Sequence, residues 1–172
     1  MISLYAATVP VFRQIVAATS GVLKKAEAFA AERDIDPATL VEARLAPDML
    51  PLAYQIKSVC DHSAKAIDGV RAGSFSPHRD AFPADFAAMH ALLAATEATL
   101  AAIDPAEIES LIGGDMAFVM GEYRVAYTAE SFLLSFSLPN FFFHAATAYD
   151  ILRAAGVPLG KRDFLGRPPA KG

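Results

Sequence analysis

The residues of this 172-residue chain best suited to proton transfer or ligand binding near neutral pH are its four histidines. His144 lies in an aromatic run, Phe141-Phe-Phe-His144. It reads either as a neutral core histidine bonded to a neighbour or as a ligand or proton-transfer group. Residues four apart on a helix share a face and can grip one ion. The neighbours of His144 at that spacing are Asn140 and Ala148; alanine offers no donor, and an asparagine amide suits hard ions. His62 and Gln55 lie along one edge of a second apolar stripe, and by phase they are the nearest polar partners for His144. His144, His62 and the Asn140 amide together can hold a divalent ion weakly, with water completing the shell.

Other polar residues have plainer readings. Arg44 and Asp48 flank a turn, as a local ion pair, as a helix cap from Asp48, or with Arg44 free to bind an anionic ligand. Asn140 follows Pro139 and can satisfy backbone groups that the proline frees. Asp61 points almost opposite the apolar stripe and reads as a solvated charge or a partner to another helix. His78 falls in a loop and His90 at the edge of a helix. Cys60 sits on an apolar helix face with no evident base, which argues against a nucleophile. No phosphate loop, nucleophile elbow or dinucleotide fingerprint is present.

These side chains must be carried by helices. Apolar residues make up 54% and charged residues 20% of the chain, which excludes intrinsic disorder. Alanine occupies 35 positions against 19 for valine plus isoleucine, favouring helix over strand. A net charge of −4 without a dense basic cluster argues against nucleic acid. One cysteine forms no intramolecular disulfide, which points to a reducing, cytoplasmic setting. The apolar stretch from Phe132 to Tyr149 contains Ser135, Pro139, Asn140 and His144, so a buried helix is expected rather than a membrane span.

Periodicity predicts four long helices: about Tyr5 to Ala31, Pro51 to Arg71, Ala84 to Ile103 and Ala129 to Ala155, the last kinked or split by Pro139. Asp36-Pro37 and Asp104-Pro105 open two short helices. A loop is expected from Ala72 to Pro83. Met116 to Val119 and Tyr123 to Tyr127 suggest a small β-hairpin. Gly156 suits a left-handed cap, and an extended tail is expected from about Val157, with the segment Gly156 to Gly166 docked back on the bundle. The prediction is an all-α protein, a four-helix bundle with short extra helices, in one domain over residues 1–172.

Four segments carry a family resemblance: Ser3-Leu-Tyr-Ala-Ala-Thr-Val-Pro-Val-Phe12, Arg44-Leu-Ala-Pro-Asp-Met49, the run Leu138 to Arg153, and Gly156-Val-Pro-Leu-Gly-Lys-Arg-Asp-Phe-Leu-Gly166. Together they resemble an uncharacterised bacterial domain-of-unknown-function family within the DinB-like and YfiT-like superfamily of metalloenzyme-like proteins. The resemblance implies a bundle, commonly dimeric, with a metal pocket between helices. Superfamily members that bind metal use three histidines, one on the second long helix and two a turn apart on the last. Here His144 matches a last-helix position and the pattern is incomplete. The functional expectation is therefore a small-molecule site, or a divalent-ion site for zinc or nickel, between the second and fourth long helices. Its candidate residues are His144, Asn140, Gln55, His62 and Arg44, with His144 and His62 as metal candidates. The alternative is a non-catalytic homodimer that has lost the metal.

Overall fold

The computed structural model describes residues 2–77 and 80–168. Helix α1 (Leu4–Arg33) starts at Ser3, whose hydroxyl accepts from the Ala6 amide, and ends at Asp34 in a left-handed turn. Pro10 is the seventh residue of α1, past the first turn, so the helix forgoes one internal backbone hydrogen bond there. Asp36 caps α2 (Pro37–Val41).

The second long helix is one run in three parts: α3 (Leu52–Cys60), a π-helical turn (Asp61–Lys65) and α4 (Ala66–Ala72). The last long helix has the same construction: α7 (Ala129–Ser131), a π-helical turn (Phe132–Ser137) and α8 (Leu138–Ala154). Pro139 was expected to kink or split this helix. It occupies the first turn of α8, directly after the π turn that interrupts the run and inside a continuous helical path. Thr128 caps the run through reciprocal bonds with Ser131.

Between these helices lie β1 (Ser74–Phe75), α5 (Phe86–Ala101), α6 (Pro105–Ser110), β2 (Asp115–Met120) and β3 (Tyr123–Thr128). The hairpin β2–β3 pairs antiparallel, Met120 opposite Tyr123. The segment expected as loop supplies a third strand, because β1 pairs parallel to β2 with Phe75 opposite Phe118. The segment from Gly156 to Gly166 docks on the bundle as expected, but part of it is helical rather than extended. Gly156 takes φ +94°, and the chain then forms α9 (Lys161–Leu165) against α1.

Helix α1 packs on α5 and α8, and α3 packs on the same two. One hydrophobic cluster runs from Leu4 to Leu159 and includes Phe12, Leu23, Ile56, Met89, Phe132 and Phe141, all fully buried. By length and apolarity alone α1 could cross a membrane, yet half of its apolar window is buried against the other helices.

Candidate functional site

The π turn in the second long helix and the last long helix meet at two imidazoles. The rings of His62 and His144 are nearly parallel, 11° apart in plane, with centroids separated by 5.6 Å. His144 Nδ1 lies 2.7 Å from Gln55 Oε1. The Gln55 amide nitrogen donates to the Leu50 carbonyl at 2.9 Å, which fixes the amide's orientation, since the reverse would set two oxygens together. With an acceptor facing it, His144 Nδ1 carries the hydrogen and Nε2 keeps its lone pair. The turn that presents Leu50 is braced by Arg44, which donates to the Met49 carbonyl at 2.8 Å.

His62 is held differently. Ser137, fully buried in the opposite π turn, donates to the His62 carbonyl at 2.8 Å. The ring packs against Phe75 and Phe136, and its Nδ1 is buried with no hydrogen-bond partner among the described residues. Burial is the main cause that lowers both imidazoles from 6.5 to about 4; Asp61 opposes it, and His62 lowers His144 further. At neutral pH both rings are therefore neutral. Tyr54 and Phe143 stand edge-on to His144, Phe82 lies against Tyr54, and Phe143 and Phe82 are largely exposed. The pair thus sits beneath an aromatic rim. A neighbouring open groove of about 630 Å³, lined by Lys65, Asp68, Phe75 and Pro77, contains neither ring.

The remaining candidates are placed elsewhere. The Asn140 side chain donates to the Phe136 carbonyl at 2.7 Å, satisfying the backbone beside Pro139. Arg44 is exposed and engaged in its own turn. The expectation of a solvated Asp61 is corrected: its carboxylate is buried and pairs with Lys57 at 2.6 Å and Lys65 at 2.9 Å. That flank is covered by α5, whose Ala88 and Leu92 share a cleft with both lysines. A Lys-Asp-Lys ladder at four-residue steps was the sequence signal for this pairing. His90 faces Glu27 across 3.3 Å, and His78 lies outside the described residues. Cys60 is buried, and its thiol is pushed up to about 12, chiefly by desolvation, so it is inert.

The family pattern of three histidines does not fit these residues. Two imidazoles are present, the Gln55 oxygen is already taken by His144, and Ala148 offers nothing. A catalytic zinc site needs three protein ligands. Among the described residues no group of three or more His, Cys, Asp or Glu side chains could hold a metal.

The chain matches the profile of a domain of unknown function, DUF1993, over residues 4–165. It belongs to the DUF1993 family. This DUF1993 chain is also similar to the crystal structure of a DinB family member protein from Shewanella denitrificans. The TM-score is 0.82 at 27% sequence identity, covering 98% of this chain and 95% of that one. The match to that structure agrees with a place for this DUF1993 protein in the DinB-like superfamily. Comparison with curated proteins gives no match.

Proposed function

We propose that this DUF1993 chain is a DinB-like four-helix bundle in one domain that binds a small molecule at the His62–His144 pair and has lost the three-histidine metal centre. The cyclic packing of α1, α5, α3 and α8 supports the bundle reading. The observation that carries the binding reading is the 2.7 Å bond from His144 to Gln55. It leaves Nε2 as an unprotonated acceptor, and the low pKa keeps it so at neutral pH. The suited ligand donates one hydrogen bond and lays an apolar ring on Tyr54, Phe82 and Phe143. That combination of apolar wall and few directed polar groups is typical of small-molecule sites.

The test uses 4-methylphenol, an apolar ring with one hydroxyl donor, titrated into the untagged protein by NMR. Saturable shifts of the His144 and His62 rings, with the His62 shifts lost in His144→Phe, support the proposal. Unchanged binding in that variant overturns it. A parallel titration with Zn²⁺ or Ni²⁺ addresses the metal. Tight one-to-one uptake requiring both His62 and His144 would restore a metal centre in place of the small-molecule site.

A second reading, a non-catalytic homodimer, is favoured by one observation: Leu134, Phe142 and Phe143 on the last long helix are exposed. Light scattering that shows only monomer counts against it.

A further inference from the structure

The motif Gly156 to Gly166 has no part in the histidine site, yet the structure gives it a defined place. Asp163 accepts from the Gly160 amide at 2.8 Å and from Lys25 on α1 at 2.7 Å. Phe164 packs edge-on to Tyr149. Gln14 on α1 donates to the Leu165 carbonyl at 2.7 Å, which pins the end of α9. Gly166 then takes φ +62°, and a Cβ there would stand 3.1 Å from the Ala18 Cβ. Only glycine turns the chain so close to α1, and the turn brings Arg167 back over that helix.

The result is an open groove of about 510 Å³ between α1 and α9, floored by Ala17, Ala18 and Gly21 and edged by Arg162, Arg167, Lys25 and Asp163. A second groove, of about 360 Å³, shares Gln14, Ala17 and Arg167 with the first and adds Arg13. Two of the four cations are neutralised, Lys25 by Asp163 and Arg13 by Glu97 at 2.7 Å. Arg162 and Arg167 have no ion-pair partner among the described residues. A chain of net charge −4 thus places two guanidinium groups without an ion-pair partner among the described residues on one concave face with a small-residue floor. Guanidinium forks match the oxygens of phosphate and carboxylate. Without side chains rising from the floor, an anionic head can sit between the arginines while the rest of the molecule lies along α1.

We propose that the groove between α1 and α9 binds a small anionic molecule bearing a phosphate or carboxylate group, with Arg162 and Arg167 as its anion-binding residues. The site is independent of the histidine pair.

The full-length protein is titrated with inorganic phosphate and, separately, with citrate, at ionic strength held constant with sodium chloride, and backbone amide shifts are followed by NMR. Expected are saturable shifts confined to the α1 face around Gln14 to Lys25 and to α9, for at least one anion. The Arg162→Gln/Arg167→Gln double variant should bind about tenfold or more weakly, and Arg33→Ala, outside the groove, should bind as the parent does. Retained α9 amide shifts in the unliganded double variant establish that the groove is still built; if they are lost, the Arg162→Lys/Arg167→Lys variant is read in its place. Preference for phosphate assigns a phosphoryl ligand, and preference for citrate a carboxylate. Saturation by neither anion, or equal affinity in the variant with the groove intact, overturns the proposal.

Discussion

Acid should destabilise this protein through two residues, and the pH window follows from their burial. His62 and His144 titrate near 6.5 when unfolded and at about 4 when folded, with desolvation as the leading cause for each. Between those values the unfolded chain binds more protons than the folded one, so stability rises with pH and is lost as pH falls. The contribution is complete above the unfolded value and is progressively lost down to the folded value. A depression of this size corresponds to about 3 kcal/mol for each ring, and the whole stability of such a domain is about 5–15 kcal/mol. Two rings titrating together give a slope approaching about 2.7 kcal/mol per pH unit. The exposed carboxylates held low by partners, Glu107, Glu130 and Asp163, take up protons in the unfolded chain only toward the acid end of this window, and they add slope of the same sign there. Urea denaturation at intervals between about pH 7 and pH 4.5 measures the slope. A His62→Gln/His144→Gln variant should lose most of it, whatever its absolute stability. A parent curve flat over this interval, or an equal slope in the double variant, would refute the reasoning.

Three further outcomes follow from the packing. Gln55→Leu removes the acceptor for His144 Nδ1 and leaves a buried donor unmade, so stability should fall by about 1–3 kcal/mol; no change in urea midpoint counts against the bond at 2.7 Å. Asp61→Asn removes the carboxylate that pairs with buried Lys57 and with Lys65 and should cost about 3 kcal/mol, and a neutral result would mean that the pairing is solvated in solution. Gly166→Ala forces a Cβ into a left-handed backbone 3.1 Å from Ala18 and should cost about 1–3 kcal/mol, with faster amide exchange in α9; unaltered protection there contradicts the tight docking.

The sequence made the long helices legible because stripe spacing and caps are local signals. Met89, Leu93, Thr96 and Leu100 recur at three and four residues, and all are buried. Asp36, Asp104 and Thr128 cap where their chemistry says they should. What escaped has no local period. Neither Asp61–Lys65 nor Phe132–Ser137 carries a composition that distinguishes a π turn from an α turn. Strand β1 is two residues long, and only its partner β2, some forty residues on, makes it a strand. Helix α9 is a single short element whose place depends on the fit of Gly166 to Ala18. At the site, helical phase was enough to nominate Gln55 and His62 as neighbours of His144, because the two helices pack face to face. It could not show that Asn140 turns back to its own helix, nor that α5 covers Asp61, since both depend on tertiary contacts.

The binding site turns on one chemical state: at neutral pH His144 is a neutral imidazole with its hydrogen on Nδ1 and a free lone pair on Nε2. Long-range proton–nitrogen correlation of the histidine rings at about pH 7 reads this directly. The expected result is a pyrrole-like Nδ1 and a pyridine-like Nε2 for His144, with the Nδ1 signal altered in Gln55→Leu. A hydrogen on Nε2, or a doubly protonated ring, would contradict it.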